Sequence, residues 1–235
     1  MSTMTRTDSA RNVMLMVAGA RIDADLVVPD EAIGLVVMAY PTAGSRRNST
    51  HRRVAEILNE EGLATVVCDL LTDDEALLDD LRGEFRRDVP LLETRLAAII
   101  GWCEKQPDLR DLAIGLLGVG TAAAAAIRCA ARRSTSIHAV VVRGGRLDLA
   151  WHALGHLHAP VLLIAGEHDT ALRDVYRLYL PYIGAFNKDV AIVPGAGGLF
   201  SEPRALDAFA ERAAGWFTEH LDRRDLPAGW TAEIC

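Results

Sequence analysis

The residues best placed to do chemistry are Leu116-Leu117-Gly118-Val119-Gly120-Thr121-Ala122, an apolar run that turns through glycine into the alanine stretch Ala122–Ala126. A strand, a sharp turn and a helix in that order form a nucleophile elbow, which holds one side chain up at the edge of a parallel sheet. In Gly-x-Ser-x-Gly the middle residue attacks the substrate. Here the middle residue is Gly120, between Gly118 and Ala122. The frame for covalent catalysis is present, and the attacking atom is not.

The partners of such a nucleophile follow in chain order, first an acid and then a histidine. Asp169 comes just after the apolar run Val161–Ala165, where the acid belongs. The loop before the last helix reads Pro194-Gly195-Ala196-Gly197-Gly198-Leu199-Phe200-Ser201-Glu202-Pro203 and holds no histidine. Its glycines lack the spacing of a nucleotide-binding turn. Arg143 and Arg146 flank two glycines after the run Ile137–Val142. An arginine there can grip a carboxylate or phosphate of a ligand, or pair with an acid of the fold.

Other side chains invite weaker readings. Cys68 ends a strand near the elbow, where a reactive thiol competes with simple packing. Cys129 reads as a core thiol. Thr121 reads as a helix-start residue, since no base is in view to activate it. His168 adjoins Asp169 and reads as a turn residue, while His51 starts an early helix within reach of the same edge. His152 and His156 have the i, i+4 spacing of a zinc pair but no third ligand, so neither metal nor cofactor is expected. Asp148 is expected to cap the short helix after Arg146.

Elements that must position these groups follow from pattern. Val13–Ala18 and Asp23–Val28 read as an antiparallel pair around Gly19. Strands are expected at 34–40, 64–69, 112–117, 137–142, 160–165 and 189–193. Helices are expected at 52–61, 91–105, 121–133 and 170–180. A last helix, 203–221, is expected to carry Pro203 in its first turn. Residues 72–85 read as an exposed acidic segment. In the helix 91–105, Leu92, Leu96, Ile99, Ile100 and Cys103 share one face. Alternation of strand and helix implies a parallel sheet covered on both faces.

Composition narrows the function classes. Half of the 235 residues are apolar and a quarter are charged, which suits a large soluble core. A net charge of −7 argues against a nucleic-acid partner. No apolar run approaches the roughly 18 residues of a membrane span, and Met1–Asn12 lacks the apolar segment of a signal peptide. Cys68, Cys103, Cys129 and Cys235 show no Cys-x-x-Cys spacing and read as reduced thiols of a cytoplasmic protein.

Together these features resemble the dienelactone-hydrolase-like branch of the α/β-hydrolases, especially bacterial members sometimes joined to phosphoribosyltransferase domains. The resemblance runs from about Val36 to Leu221. It is carried by Ala39–Arg53 with Gly62-Leu63-Ala64-Thr65, by Asp69-Leu70-Leu71-Thr72, by Gly118–Ile127, by Arg143-Gly144-Gly145-Arg146-Leu147-Asp148-Leu149-Ala150 and by Val193–Pro203. It implies one α/β-hydrolase domain over residues 1–222, followed by a tail at 223–235 in which Trp230 is expected to dock on the body or on a partner subunit. The sheet would have about eight mostly parallel strands, helices on both faces and no large lid.

By the same resemblance the elbow ordinarily reads Gly-Ala-Ser-Thr-Gly and the later loop Pro-Gly-Ala-Thr-His-Leu-Phe. That puts Gly120 at the nucleophile position and Gly198 at the histidine position. An early loop that ordinarily begins His-Gly is here Tyr40-Pro41, and proline has no N–H to offer an oxyanion. Of the triad only Asp169 matches. The pocket would be lined by Tyr40, Pro41, Thr42, Gly120, Thr121, Arg143, His168, Gly198 and Leu199, with its floor enlarged by the two glycines.

The expectation is a degenerate, non-hydrolytic pseudoenzyme acting in ligand or partner binding. Its partners would be a small molecule in the former pocket, a second copy of the chain or another protein. The alternatives are an isomerase, cyclase or lyase using Tyr40, Asp169, His168 or Arg143, or a residual ester hydrolase using Cys68.

Overall fold

Burial along the strands follows from how each is covered. In Arg11–Val17 (β1) and Ala20–Val27 (β2) the inward residues Leu15, Val17, Ile22, Ala24 and Leu26 are buried between more exposed neighbours. In Gly34–Tyr40 (β3) and Leu63–Asp69 (β4) every residue is buried, as strands covered on both faces require. The computed structural model describes residues 10–17 and 19–222.

Ser49–Glu60 (α1) joins β3 to β4, with the Asn48 side chain accepting from the Thr50 N–H at its start. Asp73–Arg82 (α2) and Val89–Cys103 (α3) precede Ile114–Val119 (β5). Thr121–Arg132 (α4) leads to Ile137–Arg143 (β6), and Trp151–Leu154 (α5) to Val161–Gly166 (β7). Thr170–Tyr179 (α6), Lys188–Val193 (β8) and Ala205–Leu221 (α7) complete the described chain.

The described strands form one eight-stranded sheet in the order β1-β2-β4-β3-β5-β6-β7-β8. β1, β2 and β4 pair antiparallel, and the pairs from β4 through β8 are parallel. On one face Val54 and Leu58 of α1 and Phe209 and Phe217 of α7 meet Val36, Met38, Leu117 and Val141. On the other, Leu92, Leu96 and Ile99 of α3 and the alanines of α4 meet Leu35, Val37 and Leu116. No helix among the described residues is long and apolar enough to cross a membrane.

Most elements lie within a residue or two of their sequence limits, and three readings change. Residues 72–85 are not merely an exposed segment. They contain α2, started by a capping box in which Thr72 and Glu75 satisfy each other's backbone N–H. Pro203 is not in the first turn of the last helix, which begins at Ala205 after Arg204 at φ 62. Asp148 does not cap the short turn after Arg146. It pairs with the Arg146 guanidinium through both oxygens, at 2.8 and 2.7 Å. The tail 223–235, with Trp230 and Cys235, lies outside the described residues.

Candidate functional site

The elbow is a real turn of the chain. β5 ends at Val119, Gly120 stands at φ 59 and ψ −126, and α4 begins at Thr121. That backbone strains any residue with a Cβ, and an elbow serine ordinarily bears the strain. Glycine removes the strain and the hydroxyl together. Space is not what excludes a side chain, because a Cβ at Gly120 would meet only Pro41 Cγ, at 3.8 Å.

Parallel pairing sets the other strand ends beside this turn. Val119 pairs with Arg143, and the Gly120 N–H donates to the Arg143 carbonyl at 3.1 Å. β3 pairs with β5 as far as Ala39 and Gly118, so Tyr40 and Pro41 flank the turn on its other side.

Asp169 lies at the start of α6, where its Oδ1 accepts from the Leu172 N–H at 3.1 Å. Two links tie its loop to the later one. The His168 N–H donates to the Ala196 carbonyl at 2.9 Å, and Gly195 N–H to Glu167 Oε2 at 2.7 Å. Gly198 then passes so close to the acid that a Cβ would lie 2.7 Å from Asp169 Oδ2. Asp169 and Gly198 are therefore neighbours, as the chain order implies. The expected enlargement of the floor fails at Gly198, because the loop has closed onto the carboxylate.

The other expected lining residues divide. Tyr40 is only 2% exposed, and its ring stacks on His51 with centroids 3.8 Å apart. Burial pushes the Tyr40 phenol far above its ordinary range, which removes it as a ready proton donor. Thr42 Oγ1 shares a hydrogen bond with Ser45 Oγ within its own loop. The Thr121 hydroxyl donates to the Arg86 carbonyl at 2.5 Å. His168 points into solvent, and Leu199 is 84% exposed.

His51 belongs to this site more fully than its place in the sequence suggests. Its Nδ1 lies 3.0 Å from the Ser45 carbonyl. A carbonyl only accepts, so Nδ1 carries the proton and Nε2 the lone pair. Burial, with the positive charge of Arg143 adding to it, brings His51 down to about 4, against the bond to Ser45.

The two arginines part company. Arg146 is held by Asp148. Arg143 is half-buried, with its guanidinium carbon 5.6 Å from the Phe200 ring centroid and 5.2 Å from that of Phe209. Burial pulls its pKa down, and the ionisable groups near enough to oppose this are the phenols of Tyr40 and Tyr176. Among the described residues no carboxylate pairs with it. Phe200, which covers it, stands at φ 56, an unusual conformation for a bulky side chain.

Cys68 is wholly buried, its thiol donates to the Met38 carbonyl at 3.3 Å, and burial pushes its pKa well up. The same holds for Cys129, pushed up to about 12. Neither offers a thiolate, so the Cys68 nucleophile reading falls. No group of three His, Cys, Asp or Glu among the described residues is placed to hold a metal. Two surface clefts, of about 370 and 670 Å³, lie away from the elbow, and neither is lined by Gly120, Arg143 or Gly198.

The architecture has relatives. A crystal structure of dienelactone hydrolase from Anabaena variabilis superposes with a TM-score of 0.87 at 37% identity, over 92% of this chain and 100% of that one. A cold-adapted esterase from an Arctic intertidal metagenomic library gives a TM-score of 0.68 at 15% identity, over 90% and 94% of the two chains, a likeness of fold alone. In Mycobacterium tuberculosis a protein named provisionally as a phosphoribosyl transferase is 37% identical over 209 residues. That match takes in 89% of this chain and 46% of the relative, so the chain spans about half the length of the curated relatives it matches. No family model matches the chain.

Proposed function

Since the chain belongs to the dienelactone hydrolase family of α/β-hydrolases, we propose that it is a non-hydrolytic member whose former catalytic edge binds a small carboxylate. The observation that carries this reading is Gly120 at the apex of the elbow, where an attacking side chain would have to stand. Asp169 faces Gly198 rather than an imidazole, and an acid alone does not activate a nucleophile. Loss of the nucleophile or the base in a serine hydrolase costs on the order of 10⁶ in rate. Pro41 adds the loss of a backbone donor beside the turn.

Arg143 supports the binding half of the reading. A guanidinium has five donors and a permanent charge, and buried charges are ordinarily paired. One cation between aromatic faces suits one carboxylate on an unsaturated or aromatic body. The transferase name belongs to a relative about twice as long as this chain. A second reading, an isomerase, cyclase or lyase, draws on His51, whose neutral imidazole leaves Nε2 as an acceptor on a ring stacked against Tyr40.

Calorimetric titration with benzoate, and with benzamide as the uncharged control, tests the binding reading. Saturable binding of benzoate alone is expected. Arg143→Met should weaken it about tenfold or more, the scale of one charge-assisted hydrogen bond. Equal affinity in parent and variant would contradict the assignment.

A further inference from the structure

A separate cationic cluster sits toward the far end of α4. Arg128 and Arg132, one helical turn apart on α4, line a cleft of about 370 Å³ together with His152 of α5 and His156 just beyond its end. The cleft lies roughly 10–17 Å along α4 from the elbow. It is therefore distinct from the Arg143 site.

The charges in this cleft do not cancel. Glu93 of α3, itself buried, takes both guanidiniums: Arg128 Nε at 2.6 Å on one oxygen and Arg132 Nε at 2.9 Å on the other. Two cations share one carboxylate, which leaves one positive charge over. Both contacts run through Nε, so the terminal NH₂ groups of two planar forks remain for the cleft.

A helix C-terminus attracts basic residues through its dipole, which accounts for Arg132 as an ordinary end residue. It does not account for the two histidines that line the same cleft. Arg133, the next residue, is held by Glu104 and does not line the cleft. The chain as a whole carries −7, so a locally cationic cleft runs against its general charge.

The geometry points to a binding site in this cleft for the phosphate group of a small phosphate monoester. Two forks and two imidazoles line one cleft and offer it several donors, which suits a tetrahedral anion with three free oxygens better than a planar carboxylate. The volume falls in the range of small-molecule sites.

The test is an NMR titration of the full chain at neutral pH, following the His152 and His156 imidazole signals. The probe is glucose 6-phosphate, with glucose as control and inorganic phosphate as a third arm. A saturable shift with the ester and none with glucose is expected. Arg132→Ala, at an exposed position, should weaken it about tenfold or more. His156→Ala should weaken it independently, and Arg143→Met should leave it unchanged. An ester that binds more tightly than inorganic phosphate identifies the monoester as the occupant. Equal affinity identifies the free ion and overturns the monoester. No saturable shift, an unchanged Kd in Arg132→Ala, or a loss in Arg143→Met overturns the site.

Discussion

Replacing Glu75 with alanine is expected to destabilise the protein by about 3–5 kcal/mol, the cost of leaving a buried charge without its partner. Arg95 of α3 is 3% exposed. Its two terminal nitrogens lie 2.6 Å from the two oxygens of Glu75, and one of them also donates to the Leu70 carbonyl at 2.7 Å. Glu75 accepts from the Thr72 N–H as well, so the same change removes half of the α2 capping box. Urea unfolding measures the loss. A change below about 1 kcal/mol, the level of an exposed pair, would contradict the account.

The pair also gives a pH dependence. Bonding to Arg95 first of all, against some burial, holds the Glu75 carboxyl below its ordinary value. Between the two values the unfolded chain binds the proton that the folded chain refuses. This contribution is therefore complete above the ordinary carboxylate range and fades as pH falls through the folded value. Parent and Glu75→Ala should differ most near neutrality and converge in acid.

Gly118→Ala is the second large effect, expected at about 3 kcal/mol, the upper range for overpacking. A Cβ there would lie 2.6 Å from Ala123 Cα, 3.0 Å from Ala123 N and 3.1 Å from the Ala122 carbonyl. All three are backbone atoms, so no rotamer change relieves the contact. The strand and α4 meet this closely because the elbow turns the chain back over one residue. For a chain of this size the melting temperature should drop by roughly 6–12 °C. Gly155→Ala is the comparison, because a Cβ there meets nothing within 4 Å. Equal melting temperatures for the two variants would mean that the close approach is absent.

What the sequence made legible was the frame. A glycine turn between an apolar run and an alanine run suffices to place the elbow, because glycine at positive φ and alanine in a helix are local preferences. The buried face of α3 followed from period alone. The Thr72-Asp73-Asp74-Glu75 capping box was equally local, and could have marked α2 where charge suggested only an exposed segment. Tertiary facts were not legible. Arg143 and Arg146 are indistinguishable as residue types; Arg146 takes Asp148 two residues on, and only the fold leaves Arg143 among the rings of Phe200 and Phe209. The His51–Tyr40 stack joins residues eleven apart across a loop. The approach of Gly198 to Asp169 depends on how two loops cross, which no spacing encodes.

Ester turnover tests the central claim most directly. Hydrolysis of p-nitrophenyl acetate by the purified parent should not exceed that of Asp169→Ala. Gly120→Ser with Gly198→His restores the missing groups, and any gain requires Asp169 Oδ2 to move aside for the new Cβ. If the parent turns over ester and Asp169→Ala abolishes it, the site is catalytic by another group and the non-hydrolytic reading is wrong.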